Sequence, residues 1–256
     1  MGHEFNQTDR IEVPADPEQV WQAIATGPGI DSWFMGRNDV DEATATVRQS
    51  FGDFRPTYRI SEWEPMRRLA YANEPGPDGR FVAYEFLIEG RDRSSTVLRM
   101  ATSGFLPGDD WNDEFEAMRL GFEMFFSTLL QCLLHFPGRT ALPLTVFGPS
   151  ITDWPATWHA LRDRLGLSEQ VRAGDPLVLT GPTGPTETGE VYFVNEQTLG
   201  LRTPEAIYRF MQGFGGSIIA CHSMFSADYT EDERRVAEKV WRAWFDNLLS
   251  GKENSR

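Results

Sequence analysis

The chain has only two cysteines, four histidines and, in its first 139 residues, no lysine. Cys132 lies in a helical stretch and Cys221 in an apolar strand-like run, where free thiols behave as small core hydrophobes. A disulfide between them is poorly motivated. His3, His135, His159 and His222 are dispersed, and no His or Cys pair has the spacing of metal ligands, so neither metal nor other cofactor is expected. No apolar run approaches the roughly 20 residues of a membrane span. The opening "MGHEFNQTDR" has no apolar signal-peptide core, and Gly2 lacks the nearby Ser or Thr that myristoylation wants. The expected compartment is the cytoplasm.

Positive charge is also scarce. The formal net charge is -14, with 13 Arg against 23 acidic residues in 1–139 and 11 basic against 15 acidic residues afterwards. Such a chain repels phosphate backbones, which argues against nucleic acid and anionic membrane as partners. Its 256 residues allow one large domain or two small ones.

The residues that are present read as an α+β pattern. "IEVPADPEQVWQAIAT" joins a short strand to a helix with Asp16 as N-cap, Pro17 in the first helical position and Gln19 completing a capping box. Val20, Trp21 and Ile24 give it an apolar face, and Gly27-Pro28-Gly29 is expected to stop it. "IDSWFMG" forms a second short helical turn. Periodicity then moves towards two: "RPTYRISEWEP" alternates, "RLAYANE" ends at a "PGPDG" turn, and 81–106 reads as a hairpin around Gly90 to Arg93. In that hairpin Val82, Tyr84, Phe86 and Ile88 belong on the inner face. Residues 111–136 make one long helix, capped by Asp110, with Asp113, Glu114 and Glu116 suited to its positive N-terminal end. Its apolar surface is wide and aromatic, and the element order places helices on one side of an antiparallel sheet.

The ordered set "IEVPADPEQVWQAI", "GIDSWF", "STVLRMATSGF" and "MRLGFEMFFSTLLQCL" resembles the SRPBCC superfamily of START-related helix-grip proteins. Within it the likeness is to the branch named after the C-terminal domain of the activator of heat-shock-protein-90 ATPase. The matching features are Val20-Trp21, Trp33-Phe34 and Gly121-Phe122, and the resemblance covers residues 8–136. It implies a curved antiparallel sheet wrapped around a long C-terminal helix, with a cavity between them that takes an apolar or amphipathic small molecule. It also implies a chaperone partner as a weaker reading.

A second, reduced helix-grip-like unit is expected after a linker near "FPGRTALP", giving domains at 1–137 and 143–251. With an offset of 120, "VLRMATSGF" lies over "SIIACHSMF"; with an offset of 119, "GFEMFFSTLL" lies over "VWRAWFDNLL". "VWQAI" likewise resembles "TWHAL". The expected elements are a helix at 154–165, strands near 176–180, 190–195, 198–203 and 217–225, a short segment at 205–213, and a last helix from about 231 with Thr230 and Glu233 as its capping box. A homodimer through such units is compatible with this plan.

Function is read from the expected cavity. Non-catalytic binding is the first reading, with Trp33, Phe34, Tyr58, Tyr84, Phe86, Arg99, Met118, Phe122 and Phe126 as ligand-contacting residues. Arg99 would pair with Glu85 or hold a ligand carboxylate if it faces inward, and is an ordinary surface residue if it faces outward. The alternative is a cyclase, dehydratase or hydrolase drawing on Tyr58, Tyr71, Tyr84, Glu62 and Glu85. "LTGPTGPTETGE" lacks the Lys-Ser/Thr of a phosphate loop and reads as a solvent-facing turn. No nucleophile elbow surrounds a serine, so Ser103 and His222 do not suggest a catalytic triad.

Overall fold

The Asp16-Pro17-Glu18-Gln19 run closes its capping box in the computed structural model, which describes residues 2–92, 95–108, 111–183, 185–213 and 215–249. Gln19 N donates to Asp16 Oδ1 at 2.8 Å, and Asp16 N donates to Gln19 Oε1 at 3.0 Å. The helix so started, α1 (Pro17–Ala25), follows strand β1 (His3–Val13). Gly27-Pro28-Gly29 does not merely stop α1. Thr26 ends that helix and caps the next, accepting from Gly29 N at 3.0 Å, and the three residues open α2 (Gly27–Trp33). Proline suits this position because a first-turn amide has no intrahelical partner to lose.

Six further strands follow: β2 (Arg37–Asp41), β3 (Thr46–Ser50), β4 (Thr57–Glu64), β5 (Arg68–Asn73), β6 (Phe81–Asp92) and β7 (Ser95–Leu106). They form one antiparallel sheet in the order β1-β7-β6-β5-β4-β3-β2. Parity in the central strands follows the sequence pattern. Tyr84, Phe86 and Ile88 of β6 and Leu98, Met100, Thr102 and Leu106 of β7 are buried on the inner face. The turn expected around Gly90 to Arg93 falls partly outside the described residues, as does Asp110, the expected cap of the long helix. That helix, α3 (Trp111–His135), packs against β1, β7, α1 and α2. Contrary to the sequence expectation, α3 is long and apolar enough to cross a membrane by length and composition, yet half of its most apolar stretch is buried inside the protein. The same wide apolar surface serves a core helix gripped by a sheet.

The chain divides into two compact units, Met1–Ala141 and Leu142–Arg256. The second contains β8 (Leu142–Ser150), α4 (Trp154–Arg164), β9 (Pro176–Leu179), β10 (Glu187–Val194), β11 (Thr198–Arg202), β12 (Ala206–Gln212), β13 (Ser217–Met224) and α5 (Glu231–Leu249). Its antiparallel sheet has the order β8-β13-β12-β11-β10-β9. In both units the first strand pairs with the last and the remaining strands follow as a meander, so the second repeats the first with one strand and one helix fewer. The segment at 205–213 is a full strand. Thr230 N donates to Glu233 Oε2 at 2.7 Å and Glu233 N to Thr230 Oγ1 at 3.3 Å, closing the expected box on α5.

Candidate functional site

Aromatic side chains from the sheet and the helices meet on the inner face of the first unit. Tyr58, Tyr71 and Tyr84 stand on adjacent strands with ring centroids 5.3 to 5.7 Å apart. Their alignment follows from register, since Tyr71 pairs with Tyr84 across β5 and β6. Phe122 of α3 lies edge-on to Tyr84 at 5.7 Å and stacks on Phe34 at 6.2 Å. Phe34 approaches Phe125 at 4.6 Å, and Trp33 meets Phe86 at 6.3 Å while its Nε1 donates to Ala23 O at 3.0 Å.

Ile30, Trp33, Phe34, Gln49, Tyr71, Tyr84, Met100 and Phe122 surround a void of about 10 Å³. That is the size that holds one water molecule. Rings of Phe34, Phe122 and the tyrosines border it between sheet and helix. Burial pushes the Tyr58 phenol up to about 12, with its hydrogen bond to Tyr84 working against the rise. Burial drives Tyr71 and Tyr84 further upward. All three are neutral hydroxyls over the physiological range, able to donate and accept hydrogen bonds but poor proton donors.

Of the ligand-contacting residues expected from sequence, Trp33, Phe34, Tyr58, Tyr84, Phe86 and Phe122 come together here. Phe126 is buried but not among the rings bordering the void, and Met118 is half-buried nearer the start of α3. Arg99 takes the outward of its two expected orientations. It alternates with the buried Leu98 and Met100, so its side chain lies on the outer face, about half exposed, with Nη2 3.5 Å from Glu89 Oε1. Glu85 bonds Arg68 Nε at 2.9 Å, and Glu62 lies 4.0 Å from the same guanidinium, both part-exposed on the sheet. Both carboxylates share the Arg68 guanidinium at the surface of the sheet. Sequence reasoning missed Gln49, because a strand as short as β3 gives no clear alternation, and did not single out Ile30 of α2 or Met100 of β7.

Beside this centre, α2 is strapped to β2 by a buried carboxylate. Asp31 is 4% exposed. Its Oδ1 accepts from Asn38 N at 2.6 Å and from Asn38 Nδ2 at 3.0 Å, and Arg37 Nη1 stands 3.5 Å from Oδ2. Burial pushes Asp31 up to about 6 despite these bonds.

The second unit packs an aromatic cluster of its own against its sheet. Trp241, Trp244 and Phe245 stand where the sequence alignment sets Phe122, Phe125 and Phe126, and all three are buried with Tyr208, Phe210 and His222. His222 Nδ1 accepts from Arg209 N at 3.2 Å, while Nε2 is buried without a hydrogen-bond partner beside the Trp241 ring. Burial, then the Arg209 charge, holds this imidazole well below its usual value, so it is neutral. Cys132 and Cys221 are buried thiols, and among the described residues no group of three or more His, Cys, Asp or Glu is placed to hold a metal ion.

No family model matches the chain, and no curated protein matches it. Solved structures do. The Aha1 dimer from Colwellia psychrerythraea is similar at 19% identity over 50% of this chain and 96% of its own, with a TM-score of 0.41. Protein MLL2253 from Mesorhizobium loti is similar at 25% identity over 50% of this chain and 96% of its own, with a TM-score of 0.41. DynU16, from the dynemicin biosynthetic locus, is similar at 18% identity over 96% of both chains, with a TM-score of 0.43.

Proposed function

We propose that the first unit is a non-catalytic binding module for an apolar or amphipathic small molecule, seated between the inner face of its sheet and α3. One observation carries this reading: three phenols and a carboxamide, from Tyr58, Tyr71, Tyr84 and Gln49, are buried together among aromatic rings on the inner face of the sheet. A core built for stability alone gains little from such groups, because a buried hydroxyl costs about 1–3 kcal/mol unless it finds a partner. Around a void, they offer donors and acceptors to a carbonyl or hydroxyl whose remaining surface is apolar. Anything larger than a water enters by parting Phe34 from Phe122, the two stacked rings that border the void from α3 and from the end of α2. Membership of the SRPBCC superfamily is part of the same proposal, supported by the shared strand order and gripping helix of the two units.

Native mass spectrometry and thermal shift against apolar ketones, phenols and fatty acids test the reading. The expected outcome is a stoichiometric adduct that raises Tm and that Tyr84→Phe weakens several-fold. Failure of every compound to bind, or affinity unchanged in Tyr84→Phe, overturns it. Phe122→Ala is a second check. It is expected to cost about 3–5 kcal/mol of stability and to leave room for a benzene-sized probe, which should restore part of the lost Tm.

A further inference from the structure

We infer that Gln49, together with Tyr71, sets the specificity of the sheet–helix site and restricts it to an uncharged oxygen head group, that of an alcohol or a ketone, excluding carboxylates and ammonium ions. This ligand class presupposes the binding site proposed above. Gln49 is 4% exposed and Tyr71 3%. Both border the void, one from β3 and the other from β5, each on the buried parity of its strand. The backbone N of Gln49 donates to Pro56 O at 3.1 Å. Its carboxamide, however, has no hydrogen-bond partner among the described residues, and neither has the Tyr71 hydroxyl. Neither polar end is fully occluded, in contrast to Asn38 Oδ1.

The other polar groups around the void are already engaged. Trp33 Nε1 donates to Ala23 O at 3.0 Å, and Tyr84 shares a hydrogen bond with Tyr58. The Gln49 carboxamide and the Tyr71 phenol are therefore the groups left to hold something else. A buried amide or hydroxyl without a partner costs stability, and a leucine of similar size at position 49 would avoid that cost. Between them the two side chains offer donors, from Gln49 Nε2 and the phenol O–H, and acceptors, from Gln49 Oε1 and the phenol oxygen. A ketone oxygen accepts from this pair, and an alcohol oxygen both accepts and donates. The void has room for one such atom. The rest of the molecule would lie among the rings once Phe34 and Phe122 part. None of the eight residues around the void is charged. An ionised carboxylate or an ammonium brought there would leave its water shell with no counter-charge, which costs at least about a hundredfold in affinity.

Isothermal titration calorimetry of the full chain at pH 7 with a matched series, octan-1-ol, octan-2-one, octanoate and octylammonium, tests the assignment. The alcohol and the ketone are expected to bind at one site, and both ions at least about a hundredfold more weakly. Gln49→Leu should weaken octan-1-ol about tenfold and Tyr71→Phe about threefold. Gln49→Leu should also leave Tm unchanged or raise it, because the ligand-free fold makes no use of the carboxamide. If no member of the series binds, the binding reading itself falls and this ligand class falls with it. If octan-1-ol binds but octanoate binds as tightly, the site stands and the restriction to uncharged heads is overturned. Octan-1-ol affinity unchanged in Gln49→Leu, or a marked loss of Tm in that variant, overturns the role of Gln49 while leaving the site in place.

Discussion

The Asp31 carboxylate has a measurable consequence at neutral pH. An acid whose folded-state value lies above its unfolded one holds its proton more tightly in the folded chain. Its contribution to stability therefore falls as pH rises from about 4 to about 6, and stays lower beyond. A displacement to about 6 corresponds to roughly 3 kcal/mol at most. Asp31→Asn keeps an oxygen for Asn38 N and Nδ2 and removes the charge. We predict that denaturant unfolding finds this variant more stable than the parent at pH 7 and that the gap closes near pH 4. A gap that widens on acidification would show that the ionised form is the one the fold favours. Little of this could be read from sequence. Asp31 is flanked by Ile30 and Ser32, and nothing local marks it as the residue that reaches across to Asn38. Tyr58, Tyr84 and Phe86, by contrast, were legible because strand parity alone turns them inward. Parity could not tell whether Phe34 would fill the space they border, which depends on where the end of α2 sets its ring.

At the level of elements, the strongest signals were those in which two residues satisfy each other. The boxes at Asp16 with Gln19 and Thr230 with Glu233 were visible in sequence because spacing alone specifies them. Thr230→Ala should lower unfolding free energy by about 1 kcal/mol with no change in denaturant m-value, a loss of one cap without loss of compactness. Elements with weak internal logic were missed. β2 and β3 are short, polar and near a sheet edge, so "RNDVD" and "TVRQS" carry almost no alternation. β8 contains Pro143 and Pro149, which argue against a central strand; it is an edge strand, where a missing amide donor costs least. Trp21 was assigned to the apolar face of α1, and its edge-to-face partner Trp63 lies on β4, which spacing within the helix does not reveal.

For the whole molecule, each sheet is expected to lose its hydrogen bonds from its margins inward. Native-state hydrogen exchange should find the amides of β5 and β6 in the first unit and of β11 and β12 in the second among the slowest, and those at the edges β2 and β9 among the fastest. Uniform protection across each sheet would contradict this. The pairing of β1 with β7 has a further consequence, for the timing of folding. His3 is partnered by Leu106, so the first strand made waits for almost the whole of its unit before it has a neighbour. At a synthesis rate of about 5–20 residues per second that wait lasts about 5–20 s. Closure of so long a loop also delays the contact that rewards it. Until then β1 is an unpaired edge in a chain whose meander from β2 to β6 can already form, and its polar run from Asn6 to Arg10 keeps that waiting edge soluble.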